Sequence, residues 1–182
     1  MINIYKLKLT NLQQRILRLM FVRSGSSLNQ LRIAKILEVS QPAVIKAIPG
    51  LEKEDLISVN QDKESKRWSI KLNTENHKVI QLKRVDNLKQ FYESGLADFL
   101  IVQFAGATVI LFGSYSNGYD TVSSDIDIAV IGRKTKEVDL LTYQIPLERP
   151  ININFYDSWK DIHKHLKNNI LNGIIIAGSV EL

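Results

Sequence analysis

Phe112-Gly113-Ser114 and, ten residues further on, Asp125-Ile126-Asp127-Ile128 are the stretch from which the rest of this chain is read. Each group closes or opens an apolar run of strand length, residues 107–112 (Ala-Thr-Val-Ile-Leu-Phe) and 126–131 (Ile-Asp-Ile-Ala-Val-Ile). Asp125 and Asp127 are two apart, so on a strand their side chains leave the same face, roughly 6–7 Å apart at the backbone. Two carboxylates placed so, next to buried isoleucines, repel each other unless a cation lies between them. Oxygen ligands in a small gap suit Mg²⁺ or Mn²⁺, which take one or two carboxylates plus substrate phosphates. Gly113 at a strand end lets the backbone approach a phosphate, Ser114 adds a hydroxyl donor, and a helix starting there would add free N–H groups. Asp-x-Asp alone is common on exposed strands, and Gly-Ser alone is usually a turn. The two together at this spacing, each on its own strand, are specific.

Downstream, residues 151–155 (Ile-Asn-Ile-Asn-Phe) read as a third strand. A helix with Trp159, Ile162, Leu166 and Ile170 on one face follows, then a short strand at 174–176. The reading is a small α/β domain with a mixed sheet. His163 and His165, two apart on that helix, face different ways, which argues against a metal pair. Tyr115 and Trp159 read as packing residues rather than base-stacking platforms, and so does Trp68.

Upstream, residues 75–100 read as one long helix carrying Ile80, Val85, Leu88, Tyr92, Leu96 and Phe99. Three shorter helices open the chain. Thr10…Gln13 and Ser27…Gln30 have capping-box spacing, and Ser40 is an N-cap with Pro42 in the first turn. Pro49-Gly50 should end or kink the third helix near Ile48. The period then becomes two: Leu56-Ile57-Ser58-Val59, a polar turn, and residues 67–72 form a hairpin. The expected domains are 1–73, a connecting helix at 74–100, and 101–182.

Charge divides along the same line. The net charge is +5, yet residues 1–100 hold 17 Lys and Arg against 10 Asp and Glu, while residues 101–182 hold 7 against 9. A basic half suits a polyanion and an acidic half suits a divalent cation. With no cysteine there is no disulfide framework and no thiolate zinc site. No apolar run approaches the ~20 residues of a membrane span. The first eight residues lack a signal-peptide pattern, so the expected location is cytoplasmic, with no membrane partner.

Over about residues 100–182 the pattern Gly113-Ser114…Asp125-Ile126-Asp127 resembles the polymerase-beta-like nucleotidyltransferase superfamily, in particular its minimal prokaryotic members. The resemblance implies a nucleoside triphosphate, Mg²⁺ or Mn²⁺, and transfer of a nucleoside monophosphate to a hydroxyl with release of pyrophosphate. Gly113, Ser114 and Ser124 would bind nucleotide, while Asp125 and Asp127 would hold metal and serve catalysis. The chain departs from the family twice. Ser116-Asn117-Gly118 stands where many members have Ala-Arg-Gly. The strand expected to carry a third carboxylate offers only Asn152 and Asn154, which can touch a metal through an amide oxygen but cannot act as a base. Glu148 and Asp157 flank that strand as substitutes.

Residues 10–72 resemble winged helix-turn-helix regulators. That likeness implies a third helix in a DNA major groove, with Gln41 and Lys46 as readers and Lys66 and Arg67 meeting phosphates. The whole reads as an α/β (α+β) chain: a winged helix joined by a long helix to a small nucleotidyltransferase domain. The functions that follow are a DNA-binding nucleotidyltransferase, a catalytically degenerate nucleotide-sensing regulator, or an antitoxin-like partner of a toxin-like protein. Double-stranded DNA and a second copy of the chain, as a homodimer, are the expected partners beside the nucleotide.

Overall fold

The computed structural model describes residues 9–62 and 67–180. The amino-terminal stretch read for a signal peptide, and Lys66, lie outside the described residues. The chain divides into two compact units, residues 1–79 and 80–182.

In the first unit α1 (Asn11–Val22), α2 (Gln30–Leu37) and α3 (Gln41–Lys53) precede a hairpin of β1 (Ile57–Gln61) and β2 (Trp68–Leu72). This order is that of a winged helix-turn-helix. Thr10 and Gln13 form the expected capping box. The second box does not form: Asn29, not Ser27, caps α2, its side chain accepting from the Arg32 amide at 2.8 Å. An exchanged pair of backbone bonds between Leu28 and Ile70 (2.9 and 2.8 Å) adds a third arm beside the hairpin. Ile16, Met20, Ile33, Val44, Leu51, Leu56 and Ile70 are fully buried.

Pro49 does not end α3, the first of the two outcomes expected of it. It sits inside a continuous helix to Lys53. Proline removes the bond to the Ile45 carbonyl, but Ile45 and Pro49 both lie on the exposed side, where solvent serves that carbonyl. On the buried side the Gln13 amide of α1 donates to the Ala47 carbonyl at 3.1 Å and lies against Gly50. Trp68 is 41% exposed rather than core.

The single helix expected over 75–100 is two: α4 (His77–Glu93) and α5 (Leu96–Gln103). Gly95 at φ +78 breaks it; this left-handed conformation is one that glycine adopts without cost. The second unit continues with β3 (Thr108–Phe112), α6 (Gly113–Asn117), β4 (Ile126–Ile131), α7 (Leu141–Leu147), β5 (Ile151–Tyr156), α8 (Lys164–Leu171) and β6 (Ile174–Ala177). Sheet order is β5-β4-β3-β6, with β4 and β5 parallel and the other neighbours antiparallel, so the sheet is mixed. Both faces of its centre are covered. Val109, Leu111, Ile126, Ile128 and Val130 pack with Leu96, Leu100 and Phe104 on one side. Ile110, Phe112, Ala129 and Ile131 pack with Ile162 and Ile170 on the other. Burial on both faces is why β3 and β4 read as unbroken apolar runs.

The helix expected to carry Trp159 and Ile162 starts later. A 3-10 turn (Trp159–Asp161) precedes α8, yet all four expected residues still pack into the second cluster. His163 is thereby the N-cap of α8, and its ring lies 5.6 Å from that of His165, so the two do not face apart. Among the described residues no helix is long and apolar enough to cross a membrane.

Gly118 closes α6 at φ +80, and a Cβ there would lie 2.6 Å from the Ile80 carbonyl oxygen and 3.0 Å from the Arg84 nitrogen. Gly132 has a similar φ of +88 with nothing within 4 Å. Gly118→Ala is therefore expected to cost about 2–4 kcal/mol, conformational strain plus overpacking. Gly132→Ala should cost only the strain, about 1–2 kcal/mol. Urea unfolding of both variants checks the difference; equal losses would mean that the close approach to α4 is not there.

Candidate functional site

The site lies at one end of the sheet, where β3 leaves and β4 enters. Phe112 pairs with Asp127 across the antiparallel strands, and Asp127 pairs with Asn152 across the parallel ones. Three segments are thus brought into line: the β3–α6 turn, the start of β4, and the start of β5. Ile126 and Ile128 point into the core with no exposure, so alternation sends Asp125 and Asp127 to the opposite face, both half-buried.

Gly113 is required twice over. Its φ is +77, and a Cβ would lie 2.7 Å from Asp127 Oδ2. Any larger residue would push that carboxylate aside. A short helix, α6, begins at Gly113; its first amides have no partner within the helix. Ser116 Oγ and Asn117 Nδ2 both donate to the Gly113 carbonyl, at 2.9 and 3.0 Å, and fix the turn. Ser114 is half-buried, and among the described residues its hydroxyl has no hydrogen-bond partner. Ser124 is occupied instead: its hydroxyl accepts from the Thr121 amide at 2.9 Å and lies 3.3 Å from the Thr121 hydroxyl, closing the turn before Asp125. Tyr115 is buried, 4% exposed, and its hydroxyl donates to the Asn87 carbonyl at 3.1 Å.

The two asparagines part company. Asn152 joins the carboxylates, its amide donating to Asp125 Oδ2 at 2.8 Å. Asn154 pairs with Ala129, two residues further along the strand. Neither flanking acid completes a cluster: among the described residues no three of His, Cys, Asp and Glu are placed to hold a metal. Asp157 follows β5 at the opposite end of the sheet. There it lines a cavity of about 660 Å³ with Phe104, Thr108, Gly132, Trp159 and Gly178. This cavity lies about 15 Å from the carboxylates along the strands, at ~3.3 Å per residue.

Electrostatically the pair is frustrated. Partial burial pushes the Asp127 carboxyl above its usual 3.8, the Asp125 charge pushes it further, and the Asn152 amide opposes both. Carboxylate oxygens are the donor type a divalent cation takes, and the Asn152 amide supplies a neutral oxygen beside them.

Sequence reading missed a buried charge cluster behind the site. Lys83 (0% exposed), Asp120 (1%) and Arg149 (3%) lie together. Lys83 Nζ and Arg149 Nη2 both reach the Asp120 carboxylate, the latter at 3.2 Å, and Asn87 Nδ2 donates to it at 2.7 Å. Burial lowers the Lys83 pKa, and the Asp120 charge resists that shift. Asp120 carries no sequence signal beyond lying in a polar loop.

In the first unit, α3 buries Val44, Ala47, Ile48 and Leu51 and exposes Gln41, Ile45 and Lys46. Arg67 is exposed at the start of the returning strand, and its carbonyl accepts from the Asp62 amide at 2.9 Å.

Residues 96–181 match the family model described as Polymerase beta, Nucleotidyltransferase. Solved structures similar to the chain include a repressor and a transcription regulator. The adhesin competence repressor AdcR of Streptococcus pyogenes is 26% identical, over 54% of this chain and 69% of that one, with a TM-score of 0.39. MepR of Staphylococcus aureus, solved as a MepR–DNA complex, is 26% identical over 52% and 78%, with a TM-score of 0.38. ZitR of Lactococcus lactis is 18% identical over 58% and 68%, with a TM-score of 0.42. Likeness at that level leaves the winged-helix assignment resting on the order and packing of residues 11–72 themselves. No curated protein matches the chain.

A carboxyl group whose pKa is raised on folding binds more protons when folded. Its ionisation therefore costs stability, and the cost grows as pH rises from about 3.8 through the raised value. Without divalent cations, Asp127→Asn should melt above wild type at pH 7, and the gap should close as pH falls through that window. Asp125→Asn should bring the Asp127 carboxyl back toward its usual value, read by carbon-13 carboxyl NMR.

Proposed function

We propose that the carboxyl-terminal unit binds a nucleoside triphosphate together with Mg²⁺ or Mn²⁺ and transfers its nucleoside monophosphate to a hydroxyl acceptor. The observation that carries this reading is the convergence of Gly113-Ser114 with Asp125 and Asp127 at one sheet end. Asp125 and Asp127 would hold the cation, which supplies neutralisation of phosphate charge and Lewis acidity when bound. Gly113 lets the Asp127 carboxylate lie against the turn that carries the α6 amides, and the Ser114 hydroxyl is available to donate to a phosphate. In the transfer, the acceptor oxygen bonds to the α-phosphorus as the bond to the β-phosphate oxygen breaks. Pyrophosphate leaves, and the hydroxyl proton passes to solvent, because Asn152 has no basic lone pair to take it.

That last point favours a second reading. Asn152 donates to Asp125 from beside Asp127, on the strand where the family resemblance calls for a third carboxylate. Loss of a general base typically costs about 10²–10⁴-fold in rate, so a nucleotide sensor with little turnover fits the same geometry.

The amino-terminal unit is proposed to bind double-stranded DNA through α3, with Gln41 and Lys46 toward base edges and Arg67 toward phosphates. The exposed face of α3 and the excess of Lys and Arg in residues 1–100 support it. A toxin-like partner and a homodimer remain proposals that rest on resemblance alone.

Incubation with each labelled nucleoside triphosphate and Mg²⁺ or Mn²⁺ tests the enzyme reading. Transfer to protein, nucleic acid or a small acceptor is expected, and Asp127→Ala should abolish it. Asn152→Asp should raise turnover by at least about ten-fold. Nucleotide binding without transfer, even in Asn152→Asp, supports the sensor; no binding at all sinks both. For DNA, Arg67→Ala should weaken binding evenly across sequences and reduce the salt slope by about one.

A further inference from the structure

The geometry points to Asp120 as the positioning residue of the Asp125–Asp127–Asn152 site: one buried carboxylate that ties together the three segments on which the site is built. Its consequence for metal rests on the reading given under Proposed function.

Each segment reaches the same hub. Asp120 itself lies five residues before Asp125, in the loop that delivers β4. Its Oδ2 accepts from Arg149 Nη2 at 3.2 Å, and Arg149 stands three residues before Asn152. The same segment is pinned to β4 by the Ile126 amide, which donates to the Pro150 carbonyl at 2.8 Å. Asp120 Oδ1 accepts from Lys83 Nζ and from Asn87 Nδ2, both on α4. Asn87 in turn donates to the Tyr115 carbonyl at 2.9 Å, and Arg84 Nε donates to the Ser116 carbonyl at 3.0 Å. The turn bearing Gly113 and Ser114 is thereby fixed to α4 by the residues just after it.

The ends of these three segments carry the groups that must converge. Two of them are not regular structure between hub and site: residues 118–125 are loop and turn, and residues 148–150 are the linker into β5. Backbone hydrogen bonding alone leaves such segments free to shift. A carboxylate with two cations and an amide on its oxygens has nearly all its acceptor positions used. Any displacement of the loop would leave Lys83 or Arg149 charged, buried and without Asp120, which is strongly unfavourable. The cluster therefore permits one arrangement of the segments, in the manner of the outer groups that orient metal ligands.

Two full-length variants test this. Asp120→Asn keeps the shape and removes the charge. Lys83→Met combined with Asp120→Asn keeps the net charge of the native cluster, which guards against a loss of folding. In the folded double variant, amide exchange across residues 119–125 and 149–152 should rise at least about ten-fold, while exchange in β3 and β4 stays as in wild type. The Mn²⁺ dissociation constant, followed by electron paramagnetic resonance, should rise by about 10–100-fold, with a broadened bound spectrum. Exchange and Mn²⁺ affinity both within two-fold of wild type would overturn the inference. Wild-type Mn²⁺ affinity no better than that of Asp127→Ala would overturn the metal reading instead, and the exchange data would then decide Asp120 on their own.

Discussion

Burying a carboxylate beside two cations commits a small domain to one geometry. Asp120, Lys83 and Arg149 are each within 3% of full burial. Lone charges at those depths would cost several kcal/mol apiece. Together they are tolerable, and only in the arrangement that brings α4, the loop before β4 and the entry to β5 to one point. A well-packed apolar substitute could be as stable. What the ionic cluster adds is direction, since hydrogen bonds fix angles that dispersion contacts leave loose.

On that support rests a second, opposite kind of electrostatics. Asp125 and Asp127 are held close, and burial and the Asp125 charge both disfavour the charge on Asp127. Gly113 tightens the arrangement, since its missing side chain leaves the gap into which the Asp127 carboxylate projects. Asn152 relieves part of the strain with one hydrogen bond to Asp125. An acid there would add a third negative charge, so the amide trades proton-accepting capacity for a quieter ground state. Binding and turnover are separable in such a site, as the two functional readings reflect.

The first unit works on simpler terms. Its helices bury one face each and leave α3 with an outward row of Gln41, Ile45 and Lys46. Pro49 survives mid-helix because the carbonyl it orphans faces outward while the opposite side is held by Gln13.

Local chemistry was legible in the sequence. Apolar runs named β3, β4 and β5; capping residues named the starts of α1 and α3; Gly-Ser and Asp-x-Asp, each at a strand end, named the candidate site. These features depend on neighbours a few residues away, so periodicity and spacing report them directly. Tertiary structure decided the rest. The break at Gly95, the late start of α8 and the passage of α3 through Pro49 depend on conformations and partners that no local pattern encodes. That Asn152 meets the carboxylates while Asn154 does not is a matter of strand register, set by pairing across the sheet. Asp120 is the clearest case: a loop aspartate by sequence, it becomes the hub of the site only because Lys83 and Arg149, 37 and 29 residues away along the chain, fold onto its two oxygens.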